Sequence, residues 1–322
     1  MSTPEVSVVM SVYNGAEHLA ETLDSVLAQE GCDFEFIVVN DGSTDETGAI
    51  LESYAAADAR LRVLHQDNTG LTRALARGCA EARGEFIARQ DAGDQSMPSR
   101  IRKQLDAMCS DRSLAFVSSR SRYVGPEGEF LYEQSGTGEA DRPINIVNVQ
   151  KRHGVIDGPS HHGSVMFCRD KYVIAGGYRE EFYFGQDWDL WYRLAMLGKF
   201  QLLQETLYQA RIGVADISVG NKVAQEHLAA LSLDSFKSRL AGEEDTEILA
   251  SARGVRASNG SEYLRSHTSR GCYFIGECLR KNGETIRARK YFLRSIVNNP
   301  LHIKAWTRLL QVMVGAHKAD NL

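Results

Sequence analysis

The sequence predicts an α/β protein with a mostly parallel sheet flanked by helices, followed by a small α-helical C-terminal region. Apolar, β-branched runs alternate with apolar residues at helical spacing along the N-terminal part, which is typical of strand–helix alternation. The charge is also uneven. From Ser251 onward there are thirteen Lys/Arg and four Asp/Glu, a net +9 against −5 for the whole chain, so the first 250 residues carry −14. We therefore expect one domain over residues 1–215 and a helical region over residues 216–322.

The composition indicates a soluble globular protein, with 43% hydrophobic and 25% charged residues. No apolar run reaches the roughly 18 residues of a membrane span, and the N-terminus lacks the basic and apolar regions of a secretory signal. The six cysteines form no Cys-x-x-Cys pair and are expected to be reduced thiols. We expect a cytoplasmic protein without a nucleic-acid partner.

Four strand–helix units are predicted in order. The first strand lies at 6–12 and the second at 34–39, and each reads as a run buried on both faces of a parallel sheet. The third lies at 61–65, and the fourth, at 86–88, ends in an acidic, glycine-containing loop. In the second unit, Ser43 or Thr44 is predicted to cap the following helix, with Glu46 completing a capping box from Ser43.

Polar residues follow each of these four strands: Asn14, Asp41, Asn68 and Asp91. In open α/β sheets ligands bind beyond the carboxyl ends of the strands, so these side chains predict a binding site. No Gly-x-Gly-x-x-Gly and no Gly-x-x-x-x-Gly-Lys-Ser/Thr motif is present, which leaves dinucleotide and P-loop sites without support. Carboxylates at 91 and 94 suit a hard divalent cation that also contacts substrate phosphates. A solvated acidic turn that caps the next helix is the alternative.

The second half of the fold is predicted from shorter signals. A strand is expected at 114–119, a hairpin at 123–132, and a long functional loop over 133–160, which is rich in Gly, Asp, Pro and Asn. Two histidines, His161 and His162, lead into a further strand. A helix then opens near Asp187 and Asp189, where negative charge is favoured, and either carboxylate could serve only as a cap.

Five motifs in this order resemble glycosyltransferase family 2, the inverting enzymes of GT-A fold, over residues 4 to about 215. Each alone is weak, but their order is highly specific. They are Ser11-Val12-Tyr13-Asn14, Asn40-Asp41-Gly42-Ser43-Thr44-Asp45, Asn68 with Gly70-Leu71, Arg89-Gln90-Asp91-Ala92-Gly93-Asp94 with Pro98 and Arg100, and Gln186-Asp187-Trp188-Asp189-Leu190-Trp191. The resemblance implies a GT-A nucleotide-diphospho-sugar transferase fold and a hexosyltransferase activity.

The resemblance also implies roles for individual residues. Asp187 would be the general base that deprotonates the acceptor hydroxyl. Asp91 and Asp94 would hold Mg²⁺ or Mn²⁺, which offsets charge on the leaving diphosphate. Donor binding would involve Val12, Tyr13, Asn14, Asp41, Asn68, Arg73, Arg89, Gln90 and Asp91. A second group near the donor or acceptor would comprise His162, Gln186, Trp188 and Asp189, although His162 could equally cap a buried strand.

Two positions depart from the usual family pattern. Gly93 stands where the acidic motif usually has a second acid, so that either Asp94 still reaches the metal or the site binds it more weakly. Gln186 replaces the usual Glu before the base. Because a like-charged neighbour would raise the pKa of Asp187, its absence is expected to favour the ionised form.

The C-terminal region, from Gly271 to Pro300, resembles one tetratricopeptide-like helical hairpin, with a further helix at 305–314. Its basic residues could face anionic lipid or a lipid-diphosphate acceptor at the inner face of the membrane, or form an ordinary solvated helix face. The predicted function is transfer of a sugar, from a UDP-sugar, to a saccharide or lipid-linked glycan in cell-surface polysaccharide synthesis. The alternative is a catalytically weak nucleotide-sugar-binding or scaffold protein that acts through its basic tail.

Overall fold

The computed structural model describes residues 3–134, 158–214, 222–255 and 261–314. The chain divides into two compact units. The first, which we call the sheet unit, comprises Met1–Ser121, Gln134–Ala210 and Glu226–Arg256; the second, the hairpin unit, comprises Arg122–Glu133, Arg211–Gln225 and Ala257–Leu322. The predicted boundary after residue 215, and most of the predicted 133–160 loop, lie outside the described residues, and both stay predictions.

The strands form one sheet in the order β3-β2-β1-β4-β8-β6-β9-β5, with β7 paired to β6. Their bounds are β1 Val6–Val12, β2 Phe34–Asp41, β3 Leu61–Gln66, β4 Phe86–Asp91, β5 Gln95–Ser96, β6 Leu114–Val124, β7 Phe130–Gln134, β8 Met166–Cys168 and β9 Lys199–Arg211. The pairings among β1 to β4 are all parallel, as predicted. The later strands extend the sheet with antiparallel pairs, β4 with β8, β8 with β6 and β5 with β9.

The register aligns the carboxyl ends of the parallel strands. Val12 pairs with Asn40, Asp41 with Gln66, and Ser11 with Asp91. The loops that leave β1, β2, β3 and β4 therefore start at one edge of the sheet. This is the convergence that the sequence predicts.

Helices cover both faces of the sheet. Their bounds are α1 Ala16–Leu27, α2 Thr47–Ala57, α3 Leu71–Ala80, α4 Arg100–Ser110, α5 Arg169–Ile174, α6 Gln186–Ala195, α7 Lys222–Leu240 and α8 Thr246–Arg253. Alternate strand residues face opposite sides. Val9, Ile37 and Ile87 pack with α3 and α6 in one core, whereas Val8, Val38 and their neighbours pack with α1, α2 and α4 in the other.

The predicted capping box at α2 is wrong. The helix begins at Thr47, Glu46 occupies its N-cap, and no side chain caps it there. Ser43 instead accepts a hydrogen bond from the backbone N–H of Asn14 at 3.0 Å. Asp45 accepts from the N–H of Thr47 at 3.1 Å and from that of Ala16 at 3.3 Å. The polar side chains of this loop are used to join it to the loop after β1, and this tertiary use overrides the local capping signal.

The hairpin unit contains three helices among its described residues, α9 Ser261–Lys281, α10 Thr285–Asn298 and α11 Ile303–Val314. The first two form the predicted helical hairpin. At Gly276 a Cβ would lie 2.9 Å from the ring of Phe292, so glycine allows the two helices to approach closely. Leu131 is buried among residues of all three helices, and Asn282 donates to its carbonyl at 2.8 Å. Among the described residues, no helix is both long and apolar enough to cross a membrane.

Candidate active site

The loops after β2 and β3 are joined through the carboxylate of Asp41. Its Oδ1 accepts hydrogen bonds from the N–H of Thr69 at 2.9 Å and from Gln66 Nε2 at 2.6 Å, and its Oδ2 accepts from the N–H of Gly70 at 2.9 Å. The backbone of Asn68 lies so close to Gly42 that a Cβ there would be 2.6 Å from the Asn68 nitrogen. Asp41 thus fixes the shape of this edge of the sheet.

The loop after β1 lies beside the loop after β2. Asn14 has a positive φ of 50°, which asparagine tolerates better than most residues, and its Oδ1 accepts from the N–H of Thr44 at 2.8 Å. Val12 is buried at the end of the strand, whereas the ring of Tyr13 is half-exposed. The structure therefore places Val12, Tyr13 and Asn14 at the same sheet edge as Asp41.

Arg89 is fully buried directly before the acidic loop. Its guanidinium donates to Asp91 Oδ1 at 2.7 Å, to the carbonyl of Gln90 at 3.1 Å and to the carbonyl of Val9. Burial tends to raise the pKa of Asp91, but the positive charge of Arg89 outweighs it, and the pKa lies below its ordinary value. Asp91 is therefore held ionised in an ion pair with the buried Arg89.

A second buried arginine, Arg100 on α4, holds the acidic loop in place through hydrogen bonds. It donates to Gln90 Oε1 at 3.1 Å, to Ser96 Oγ at 2.9 Å and to the carbonyls of Arg89 and Gly163, both at 2.7 Å. Burial lowers the pKa of Arg100 to about 10, so it stays protonated at neutral pH. Gln90, predicted to bind the donor, is itself fully buried and donates to the carbonyl of Asp94 at 3.1 Å, so its visible role is to shape the loop.

Asp91 and Asp94 come together with His161. The Oδ2 atoms of both carboxylates lie 3.7 Å from His161 Nδ1, and one ligand atom from each of the three residues lies within 4.8 Å of the others. Tyr208 on β9 steadies both acids: its hydroxyl donates to Asp94 Oδ2 at 2.8 Å and accepts from the N–H of Asp91 at 3.1 Å. Two carboxylates and an imidazole are ligand types that bind divalent cations, although Nδ1 of His161 here accepts from the N–H of Gly163 at 3.1 Å and would exchange that hydrogen bond for the ion.

Two glycines make this cluster possible. Gly93 has a φ of +92° and donates its N–H to Thr22 Oγ1 at 3.0 Å, within the turn that joins Asp91 to Asp94. At Gly163, in the 3₁₀ turn His162–Ser164, a Cβ would lie 1.9 Å from the hydroxyl oxygen of Tyr208. Only glycine allows the histidine turn to approach β9 this closely.

His162 lies beside the ion pair rather than within the acidic cluster. Its Nε2 is 2.7 Å from the Tyr178 hydroxyl and 3.5 Å from Nε of Arg89. Burial and the neighbouring Arg89 lower the pKa of His162 to about 3, so the ring is neutral. Because Arg89 can only donate, Nε2 is the accepting nitrogen, which assigns the ring proton to Nδ1.

Asp187 lies in the first turn of α6, where its Oδ1 accepts from the N–H of Trp188 at 2.9 Å. Burial, with a smaller contribution from the charge of Asp91, raises the pKa of Asp187 to about 6. The expectation that Gln186 would favour ionisation thus misses the larger cause, which is desolvation. Gln186 is itself buried, and its Oε1 has no hydrogen-bond partner in the described part of the chain.

The other predicted residues have structural contacts of their own. Asp189 is buried in ion pairs with Arg179 and Arg193. The ring of Trp188 packs edge-on against Trp191, with 5.0 Å between centroids. Arg73 is largely exposed and pairs with Glu180 at 2.8 Å. The acidic cluster contains none of these predicted residues.

Four residues of the site are not predicted from the sequence: Arg100, His161, Tyr178 and Tyr208. Arg100 belongs to a motif and His161 to a histidine pair, but their residue types alone do not show that they lie at the site. Nothing in the sequence points to Tyr178 or Tyr208, because their contacts join distant parts of the chain.

Comparisons with known proteins agree with this architecture. The family model described as "Glycosyl transferase family 2" matches residues 7–172. The putative glycosyltransferase EpsE of Bacillus subtilis is 33% identical over 218 residues, 65% of this chain and 74% of EpsE. Chondroitin synthase of Pasteurella multocida is 26% identical over 69% of this chain but only 22% of its own length.

Among solved structures, S. aureus TarS 1-349 in complex with UDP shares the fold, with a TM-score of 0.52, 17% sequence identity, and coverage of 99% of this chain and 94% of the TarS chain. The predicted GT-A type of α/β fold is confirmed. By its sequence match, its relatives and its fold, the chain is a glycosyltransferase that belongs to family 2.

Proposed function

We propose that this glycosyltransferase moves one sugar from a UDP-sugar to a saccharide or lipid-linked glycan, with inversion, in polysaccharide synthesis. The observation that carries the proposal is the pairing of a cation-type cluster, Asp91, Asp94 and His161, with a carboxylate, Asp187, whose pKa is about 6. The name of the chondroitin synthase relative supports a saccharide acceptor. We place the enzyme in the cytoplasm and retain residues 1–215 as its catalytic domain.

The donor nucleotide is assigned to the sheet edge formed by the loops after β1, β2 and β3. The half-exposed ring of Tyr13 offers a stacking surface for a base, and Asp41 Oδ2, which accepts from the N–H of Gly70, has a second lone pair for a base N–H. The backbone near Val12, Asn14 and Asn68 would shape the pocket, with Arg73 at its margin. The complex of TarS with UDP supports UDP as the first nucleotide to test.

The cation, Mg²⁺ or Mn²⁺, would be held by Asp91, Asp94 and His161. The imidazole favours Mn²⁺, because Mg²⁺ prefers oxygen ligands alone. When bound, the cation offsets negative charge on the leaving diphosphate. In this proposal His161 supplies a ligand where Gly93 lacks one, and Arg89, Gln90 and Arg100 hold the two carboxylates in position.

Asp187 is the proposed general base, which takes the proton of the acceptor hydroxyl as that oxygen attacks the anomeric carbon. A single displacement of this kind inverts the configuration. The unpartnered Oε1 of Gln186, one residue before the base, is proposed to accept a hydrogen bond from a sugar hydroxyl, because a buried acceptor is costly to leave unpaired. His162 and Trp188 would border the sugar, whereas Asp189 anchors α6 through its arginines.

Nucleotide binding tests the donor and cation sites together. By calorimetry with UDP, ADP, GDP and CDP, we expect UDP to bind best and Mn²⁺ to tighten it by at least about tenfold. His161→Gln and Asp91→Asn should each remove the effect of Mn²⁺, and Asp106→Asn on the exposed face of α4 serves as the control. Equal UDP affinity with and without Mn²⁺ would show that Gly93 has cost the protein its cation site.

The pH dependence tests the base. Because Asp187 acts only when ionised and its pKa is about 6, kcat/KM should rise tenfold per pH unit below about pH 6 and level off above it. An ordinary aspartate would place the break near pH 4. A profile that stays flat down to about pH 5 would contradict the assignment.

The alternative of a catalytically weak binding or scaffold protein is not favoured. Gly93 and Gln186 are the departures that favour this alternative. The turn at Gly93 nevertheless brings Asp94 beside Asp91, and Asp187 is close enough to Asp91 for the charge of Asp91 to affect its pKa.

A further inference from the structure

The last two helices of the hairpin unit expose apolar side chains that their own core does not use. On α10, Ile286, Leu293 and Val297 lie seven and eleven residues apart, which places them on one helix face. The opposite face of α10 supplies Tyr291 and Phe292 to the core. The exposed residues are therefore a second apolar stripe and not a frayed part of the core.

The next turn and α11 also expose apolar side chains. Leu301 lies in the turn, and Ile303 and Leu310 share a face of α11, while Leu309 and Val312 are buried on the other side. We define the apolar tail surface as the six residues Ile286, Leu293, Val297, Leu301, Ile303 and Leu310. Their exposed fractions run from 50% to 86%. Trp306 is nearly half-exposed on α11, with its indole N–H donated to the carbonyl of Pro300.

The segment that carries this surface is basic in sequence. From Thr285 to Val314 the chain carries six Lys/Arg and no Asp/Glu. Some of these cations are engaged within the unit, since Lys290 and Arg294 contact Glu127 and Arg308 contacts Glu277. Lys304 is exposed beside the surface, and Arg287 approaches only the exposed Glu284, at 3.8 Å.

The exposed apolar and basic side chains together indicate which kind of partner binds this surface. A second copy of the chain would bring the same positive charge against itself, which disfavours self-association. An anionic lipid surface offers negative head groups to the cations and acyl chains to the leucine, isoleucine and valine side chains. Exposed aliphatic residues, an interfacial tryptophan and flanking Lys/Arg are the features by which helices lie in a membrane interface.

We infer that the apolar tail surface binds an anionic membrane peripherally, with Lys304 and Arg287 at the head groups. None of the residues of this surface is among those proposed for sugar transfer, so membrane binding does not depend on that reaction. Lys304 and Arg287 supply its positive charge, and its exposed apolar side chains are a feature that the sequence pattern does not reveal.

Vesicle co-sedimentation of the full chain tests this inference. We expect binding to vesicles of equal parts phosphatidylglycerol and phosphatidylcholine, and little binding to phosphatidylcholine alone. The triple variant Val297→Ser, Leu301→Ser, Leu310→Ser should bind the anionic vesicles at least about tenfold more weakly. Raising the salt concentration should also weaken binding by the wild type.

The matched control is Val173→Ser with Ile174→Ser, two residues of the sheet unit that are 68% and 71% exposed. It should bind as the wild type does. Because all these positions are exposed, each variant should retain the wild-type circular dichroism spectrum and UDP binding. A wild type that binds no vesicles would overturn the inference and favour an acidic protein partner; equal binding by the triple variant would overturn it as well.

Discussion

Asp187→Asn should lower kcat for sugar transfer by about a thousandfold. The amide keeps the size of the side chain and its place in the first turn of α6, but it cannot take a proton. UDP binding should stay within about twofold, because the residues assigned to the nucleotide and the cation are untouched. The measurement is release of UDP from a panel of UDP-sugars, with the wild type defining which donor is turned over.

Asp234→Asn is the control for this substitution. Asp234 lies in the same unit, is 55% exposed and pairs with Lys237 on the same helix at 3.4 Å. It should leave kcat unchanged. If Asp187→Asn releases UDP as fast as the wild type, Asp187 is not the base, whatever the outcome of the nucleotide-binding experiment.

Arg100→Leu should destabilise the sheet unit by about 3–5 kcal/mol. The substitution leaves Gln90, Ser96 and the carbonyls of Arg89 and Gly163 without their buried donor. Denaturant unfolding followed by circular dichroism measures the loss. Because the same guanidinium joins the acidic loop to the histidine turn, the Mn²⁺ effect on UDP binding should also disappear.

Arg102→Leu provides the comparison two residues later on the same helix. Arg102 is 47% exposed and pairs with the exposed Asp106 four residues on. Exposed ion pairs of this kind contribute at most about 1 kcal/mol to the free energy of unfolding. The denaturant midpoint of unfolding should therefore barely change. Equal destabilisation by both substitutions would contradict a special role for Arg100.

These two arginines also show where prediction from sequence stops. The strands of the parallel half follow from their β-branched runs, and the position of Asn14, Asp41, Asn68 and Asp91 follows from strand ends that share one edge. Arg100 belongs to a motif and Arg102 does not, but the sequence does not show that only Arg100 is buried, since its contacts with Gln90, Ser96 and the 3₁₀ turn form only in the fold. Burial of that kind depends on contacts between distant segments.

The same reason applies to the chemistry of the site. Gly93 and Gln186 could be recognised as departures from a family pattern, but their consequences are set by three-dimensional neighbours. His161 reaches Asp91 and Asp94 from another part of the chain, and the pKa of Asp187 is raised by burial, which no adjacent residue reveals. The misplaced capping box at Ser43 is a local example: a tertiary partner, Asn14, uses the side chain that the local pattern reserved for a helix end.

The two compact units are not consecutive in the sequence, which limits how the protein can be truncated or its domains exchanged. The hairpin unit draws on three separate stretches, and its core includes Leu131 and Val214 together with the terminal helices. Removing the C-terminal helices would strip the cover from side chains such as Leu131, which is 2% exposed in the intact chain. The C-terminal helices therefore cannot be exchanged alone. A chimera of two homologous chains would have to exchange all three stretches together.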